Sequence, residues 1–387
     1  MRRNQPALLA CAAVVVSWLW MALTVHFNYQ GNWTALFCIG DRVPPPPDLA
    51  RAEHLYVFAN STGYDGQFYH DLAHDPGLRR GYARYMDAPR LRQRRILVPA
   101  LAWMLALGRE GWIDASYFAI MLGFIALGVY WLARYAIRLG RGVVWGLLYL
   151  AVPSTLISID RMTTDLAFTT LFTGFAYYLQ AGSLVTLWLI AASACLTRET
   201  GLCIVAGYAV YLLWRRQYRQ GALFATSALP FFVWAFLTRN TPPGTEASYP
   251  FHFPGSAIIE AILRPESYPV APSVQTLLTI FDLVALAAFF AITFMACRIM
   301  SRNPALGSIT IPFVAVVLVL GSLAGMQPEF VQVYAYGRPF SPILVAAVLD
   351  ALANRALLPM VLFGIVSARS AALLGWQAIG VLRAILR

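Results

Sequence analysis

The sequence predicts an all-α, polytopic membrane protein, and three observations carry that prediction. Of 387 residues, 59% are hydrophobic and 12% are charged, about half the charged fraction of a soluble globular chain. Apolar runs of membrane-helix length recur from end to end, separated by short polar connections. The basic residues cluster between those runs, where the positive-inside rule reads them. A soluble enzyme, a disordered scaffold and a small disulfide-stapled domain are thereby excluded. All 29 basic residues are Arg and none is Lys, a compositional bias. The net charge of +11 belongs with anionic lipid and cytoplasmic loops rather than with nucleic acid.

The elements follow in chain order. Met1-Arg2-Arg3 precedes an apolar run, Ala7 to Val25, that is long enough to span and lacks a small-x-small cleavage site. It reads as a retained signal-anchor with a cytoplasmic N-terminus. A polar stretch from Phe27 to Arg95 contains the Pro44–Pro47 run. Further apolar runs lie near 115–133, 143–158, 166–181, 183–197, 201–214, 221–238, 276–297, 309–325 and 339–353. A last one, 356–386, is broken by Arg369 and Gly375.

Ile96–Leu107 decides the topology, because about a dozen residues are too few to cross a ~30 Å hydrocarbon core. If this segment lies in the interface, the clusters Arg134/Arg138/Arg141, Arg215/Arg216/Arg219 and Arg298/Arg302 all become cytoplasmic. The expectation is therefore one transmembrane domain over 1–387 with about eleven membrane helices. Interfacial helices occupy the first outer loop, outer loops 27–114 and 239–275 cover the bundle, and there is no separate soluble domain. The proline-rich 239–275 stretch reads as irregular.

That topology gathers the unusual polar residues on the outer face: Asp65, Asp71, Asp75, Asp160, Arg161, Asp165, Arg198, Glu199, His252, Glu329 and Arg338. No internal repeat of the kind transporters carry is visible. Cys11, Cys38, Cys195, Cys203 and Cys297 show neither a disulfide framework nor a zinc motif. H-E-x-x-H, G-x-S-x-G, Walker A and G-x-G-x-x-G patterns are missing.

The most informative stretch is Gly63-Tyr64-Asp65-Gly66-Gln67-Phe68-Tyr69-His70-Asp71-Leu72-Ala73, followed by Arg94-Arg95-Ile96-Leu97-Val98-Pro99. Asp65 is either a base for an acceptor hydroxyl or part of an Asp-Gly turn among interfacial aromatics. Gly66 would let a substrate approach the backbone, and Tyr64, Phe68 and Tyr69 offer faces for a sugar. In Asp160-Arg161-Met162-Thr163-Thr164-Asp165, Asp165 either caps a helix or binds the acceptor or supports the first loop, and Arg161 suits a phosphate. Arg198-Glu199 is either a mutual ion pair at a helix junction or an Arg facing lipid phosphate with Glu199 orienting it. Arg338, in Tyr334-Ala335-Tyr336-Gly337-Arg338-Pro339-Phe340, either binds a phosphate or snorkels to headgroups. His70 and His74, with Asp71 and Asp75 at the same i,i+4 spacing, raise a divalent metal, but without a clear motif the expectation is no cofactor and no metal.

These motifs resemble the GT-C superfamily of integral membrane glycosyltransferases. Y-D-G-Q-F-Y followed by R-R-I-L-x-P is similar to a bacterial cell-surface glycopolymer group. More distantly it resembles the GPI-anchor mannosyltransferases, with their W-D-x-x-x-Y-x-x-I-A run, and the lipid A aminoarabinose transferases. Here Tyr64 stands for the Trp and His70 for an aromatic. The resemblance implies an inverting transfer of a sugar from a polyprenyl-phosphate donor to an outer-face glycan, lipid or protein acceptor. It implies Asp65 as general base and donor phosphate held by Arg338, Arg198 and Arg161. Tyr64, Gln67, Tyr69, Asp165, Glu199 and Tyr336 would shape the site, in a bacterial inner membrane with the site on the periplasmic side. The partners would be that donor, a glycan or glycolipid acceptor and membrane lipids, with no nucleic acid. The alternatives are a lipid-linked glycan flippase or a non-catalytic subunit of glycopolymer assembly.

Overall fold

The computed structural model describes residues 4–180, 182–244 and 249–386. Arg2 and Arg3, on which the N-terminal orientation rests, lie outside the described residues. The chain is all-α, about 74% helical, with one two-residue parallel ladder, β1 (Ile39–Gly40) against β2 (Val57–Phe58).

Helix α1 (Gln5–Asn28) is followed by a folded segment that holds α2 (Pro47–Glu53), α3 (Asp65–His74), α4 (Pro89–Arg94) and α5 (Leu97–Leu105). The nine-residue α5 is far below the ~20 residues a crossing needs. Next come α6 (Glu110–Arg138), a 3-10 segment Val143–Ala151, α7 (Pro153–Arg161), α8 (Asp165–Tyr178), α9 (Leu184–Thr197) and α10 (Gly201–Trp214). Helices α11 (Tyr218–Ala225) and α12 (Leu229–Leu237) run on through one 3-10 turn. The remainder comprises α13 (Ser256–Leu263), α14 (Pro272–Arg302), α15 (Pro304–Leu320), α16 (Pro328–Val331), α17 (Val333–Gly337), α18 (Ser341–Asn354), α19 (Leu357–Ala372) and α20 (Gly375–Ile385).

Among the described residues, four helical segments are long and apolar enough to cross a membrane: α1, α6, α11–α12 and α14. The number is six if each bent pair counts as one span, Val143–Ala151 with α7 (57°) and α19 with α20 (53°). The expected eleven exceeds this because α8, α9, α10, α15 and α18 are each only 14 to 17 residues long. Leu8, Val16, Trp18, Phe232, Phe236, Leu277, Phe294 and Leu318 are all exposed on these helices, an apolar exterior that suits lipid rather than water.

Two helices form the centre. In α8 every residue from Asp165 to Tyr177 is buried, and in α18 every residue from Ser341 to Leu352. A helix buried all round carries no polar stripe, hence the unbroken apolar reading of both segments. Each starts beside a charge, Asp165 at the first residue of α8 and Arg338 just before α18. The stretch 239–275 departs from the irregular loop expected of it, since it contains α13. There Ala257 and Ala261, one turn apart, are buried, and a bridge joins Phe251 to Leu323. Residues 245–248 of that loop lie outside the described residues.

Candidate functional site

The site begins with the loop before α3. Asp41 accepts hydrogen bonds from the Asn60 and Ser61 amides (2.9 and 3.1 Å), and the Tyr64 amide donates to the Cys38 carbonyl (2.9 Å). Gln67, 4% exposed, ties the loop shut. Its Oε1 accepts from the Gly40 amide (3.1 Å) and its Nε2 donates to the Thr62 carbonyl (2.9 Å). Gln67 is thus a brace rather than a substrate contact.

Gly66 also takes a different role from the one expected. A Cβ there would overlap the Arg161 carbonyl oxygen and come within 2.9 Å of the Phe37 carbonyl oxygen. The glycine lets α3 pack against the end of α7 and leaves no room for a ligand at that position. The end of α7 is fixed in turn by Met162, in the left-handed region at φ 45°, whose carbonyl accepts from the Tyr117 hydroxyl (2.9 Å).

Asp65, the first residue of α3, is shared by two arginines. Arg92 NH2 lies 2.9 Å from its Oδ1 and Arg338 NH2 2.8 Å from its Oδ2. Each arginine holds a second acid. Arg92 donates through Nε and NH2 to Asp87 (3.0 and 2.7 Å), and Arg338 Nε is 3.2 Å from Asp165 Oδ2. Asp165 closes the series by pairing with Arg198. The result is a continuous relay, Asp87–Arg92–Asp65–Arg338–Asp165–Arg198. Beside it Arg95 grips Glu199 bidentately (2.9 and 2.6 Å) and donates to the Tyr69 hydroxyl (3.3 Å). The N-termini of α3, α8, α10 and α18 meet here, so their positive dipole ends reinforce the field of the arginines.

Burial pushes the Asp65 carboxyl up, but Arg92, Arg338 and Arg95 outweigh it and hold the group well below the usual carboxylate range. Glu199 follows the same balance. Burial raises it, Arg95 and then Arg198 lower it, and it settles at about 2. In Arg338 burial opposes the charge, while Asp165, Tyr64 and Asp65 support it and raise the group further. Arg338 NH1 and Arg198 Nε are buried without a hydrogen-bond partner, so the relay retains donors to offer.

The Tyr64 ring sits under both Arg338 (5.0 Å) and Arg161 (4.8 Å) and meets Tyr334 edge-on at 5.9 Å. Arg161 reaches Asp160 at 3.6 Å. An apolar groove of about 370 Å³ runs between α1, α7 and α19–α20, lined by Val16, Trp20, Thr155, Ile159 and Leu374 among others. Ile159 places one end of it within one helical turn of Arg161.

Of the residues singled out from sequence, Asp65, Tyr64, Tyr69, Asp165, Arg198, Glu199 and Arg338 come together, with Arg161 at the edge. Tyr336 does not join them. It is 1% exposed and packs on Phe289 at 4.9 Å. Arg198 and Glu199 are not a mutual pair, because one takes Asp165 and the other Arg95. Asp165 does more than cap a helix, since it is the junction of two arginines. Asp87, Arg92 and Arg95 are the residues of this network not singled out as site residues, and for the two arginines a signal is present. Arg92 and Arg95 stand i,i+3 apart at the head of the R-R-I-L-x-P run, the spacing at which side chains share a side of a helix.

His70 and His74 of α3 also converge with Glu53 and Asp114, all four ligand atoms within 4.8 Å of one another. Asp71 and Asp75 stand apart from that cluster. Asp71 Oδ1 is 3.9 Å from the far nitrogen of His70, and Asp75 accepts from the Arg80 amide (2.6 Å). All five cysteines are free thiols. A scan against protein-family models, a search of curated proteins and a search of solved structures each gave no match to this chain.

Proposed function

We propose that the chain is a GT-C-like membrane glycosyltransferase that moves a sugar from a polyprenyl-phosphate donor to an outer-face glycan, lipid or protein acceptor, with inversion at the anomeric carbon. It is multi-pass, with about eleven crossings, in a bacterial inner membrane and with its site on the periplasmic side. The observation that carries the reading is Asp65 held between Arg92 and Arg338 at the meeting point of four helix N-termini.

In this reading the donor's isoprenoid chain lies in the apolar groove that ends near Arg161. Its phosphate reaches Arg161 and then Arg338, whose free NH1 is the first donor available to it. Phosphate and Asp65 compete for the same guanidinium. When the phosphate takes Arg338, the carboxylate loses one of the two cations that depress its basicity. The base is therefore weak until the donor arrives and stronger once it is bound. Asp65 then accepts the proton of the acceptor hydroxyl while that oxygen attacks the anomeric carbon. The bond from that carbon to the phosphate oxygen breaks, and its electron pair leaves on the polyprenyl phosphate. Arginines aimed at the departing oxygen stabilise the charge it acquires. Arg198, Asp165 and Glu199 hold the arginines in register rather than meeting the sugar.

The test uses purified full-length protein, a panel of polyprenyl-phosphate sugars and extracted glycolipid acceptors. Transfer by the wild type and its loss in Asp65→Asn supports the assignment. Transfer by Asp65→Asn at the wild-type rate overturns Asp65 as the base. Movement of lipid-linked glycan between leaflets without any new glycosidic bond overturns the enzyme reading in favour of a flippase.

A further inference from the structure

The other half of α3 carries a second cluster that the proposed transfer does not use. His70 and His74 lie one turn apart with their rings 4.7 Å centre to centre, and both side chains are fully buried. His70 Nε2 lies 3.1 Å from Glu53 Oε2 and 3.0 Å from Asp114 Oδ1. His74 Nε2 lies 3.2 Å from Glu53 Oε1 and 3.5 Å from Asp114 Oδ1. We propose that Glu53, His70, His74 and Asp114 form a structural binding site for one zinc-type divalent cation, which clamps α2 and α3 to the first turn of α6.

Three features point to a metal rather than to ion pairing alone. First, a zinc with bonds of about 2.0 Å spaces its ligand atoms about 3.3 Å apart, close to the 3.0 and 3.5 Å from the two imidazoles to Asp114 Oδ1 and the 3.1 and 3.2 Å to the two oxygens of Glu53. Second, His74 Nε2 and Asp114 Oδ1 are buried without a hydrogen-bond partner, although both face the centre of the cluster. Without a cation, neutralising the two carboxylates requires two imidazolium rings side by side and out of water, where like charges repel. One dication between two neutral imidazoles and two carboxylates balances the charge. Third, the outer shell is in place. His74 Nδ1 is 2.6 Å from Glu110 Oε2, and Arg80 NH1 donates to Glu110 Oε1 at 2.6 Å. A carboxylate of this kind fixes the tautomer and orients the ring toward a metal.

Two imidazoles with two carboxylates favour zinc over magnesium or calcium, which prefer more oxygen ligands. A pocket of about 310 Å³ lined by His74, Asp75 and Trp103 gives the ion a path in. All four positions are filled by protein, so the site has no open place for substrate. It acts by holding the helix whose first residue is Asp65, and it stands whether or not that residue is a base.

The experiment uses the full chain in detergent, carrying an affinity tag without histidine. Expected after exhaustive washing is about one equivalent of bound zinc. Exchange to cobalt gives the visible absorption of a tetrahedral site. Chelation lowers the melting temperature, and zinc restores it where magnesium does not. His74→Gln and Asp114→Asn lose the metal, whereas His252→Ala, outside the cluster, keeps it. Retention of the full equivalent by both cluster variants overturns the site. If those variants fail to fold, the wild type decides alone. No tetrahedral cobalt spectrum and a melting temperature indifferent to chelation overturn it. Zinc bound by the wild type and lost by both cluster variants, with glycosyl transfer never detected, leaves this site established and the proposed function refuted, so the two outcomes are separable.

Discussion

Two buried arginine clusters sit in one bundle and are built on opposite plans. Between α14 and α19, Arg369, 2% exposed, meets a single acid. Its Nε is 2.7 Å from Asp282 Oδ1 and its NH2 3.2 Å from Oδ2, and the Tyr268 hydroxyl donates to the same carboxylate at 2.8 Å. Arg369 NH2 also donates to the Tyr268 hydroxyl at 3.0 Å, and among the described residues no second acid pairs with Arg369 and no second arginine with Asp282. In the relay around Asp65, Arg92 and Arg338 each divide themselves between two acids, and Asp65 and Asp165 each divide themselves between two arginines. A closed pair has one arrangement, and removing a partner strands a buried charge. A relay has several arrangements of similar energy, so an arriving anion can take an arginine while the acid left behind keeps another. The first plan fixes helices, and the second suits a site that must exchange partners during a reaction.

The largest expected effect is at Asp65. Asp65→Asn lowers transfer about 10²–10⁴-fold, the usual worth of a positioned base. Because Arg92 retains Asp87 and Arg338 retains Asp165, the melting temperature stays near that of the wild type. A fall in melting temperature comparable to that of an Arg369 variant would erase the distinction between the clusters.

Next comes Arg338. Arg338→Gln lowers turnover about 10²–10³-fold, the range for losing one donor to a developing oxyanion. Arg338→Lys keeps the charge but gives up the two-pronged grip on Asp65 and Asp165, so it recovers only part of the rate. Equal rates for the Lys variant and the wild type would reduce Arg338 to a point charge. The closed pair predicts the reverse pattern. Arg369→Met destabilises by about 3–5 kcal/mol, since it leaves Asp282 buried and unpaired. The double variant Arg369→Met/Asp282→Leu regains most of that loss, measured as detergent melting. Residual transfer per folded molecule is unchanged in both.

Much of this was legible in the sequence where the signal is local. Helix-length apolar runs and the junction charges Asp165 and Arg338 follow from spacing along the chain. Long-range pairing was not legible. Arg95 and Glu199 lie 104 residues apart, and only the packing of the bundle brings them together. Adjacency misled at Arg198-Glu199. Arg198 has extended backbone, φ −152° and ψ 145°, and in extended chain successive side chains point to opposite sides. Neighbours in sequence therefore reach different partners. Tyr336 shared a motif with Arg338 but sits inside α17, whose buried side faces Phe289. Gly66 read as room for a ligand because the approach of α7 behind it is a tertiary fact. The number of crossings outran the structure because hydropathy measures apolarity and takes no account of where a helix ends.

The smallest effect concerns acidity at the edge of the relay, and it tests whether Arg95 belongs to the exchanging plan or the fixed one. Glu199, drawn down to about 2 by Arg95 and Arg198 against the opposing effect of burial, has a folded-state value below its unfolded one. Its contribution to stability is therefore complete above the ordinary carboxylate range and is lost as the pH falls from there toward 2. The side chain is 35% exposed, so solvent screens the pair and the loss is modest. The wild type should melt progressively lower below about pH 4.5, and Glu199→Gln should show a flatter profile across the same interval. If both profiles fall in parallel, the acid sensitivity comes from other carboxylates. Arg95 would then be held by Tyr69 and its surroundings as firmly as Arg369 is held by Asp282.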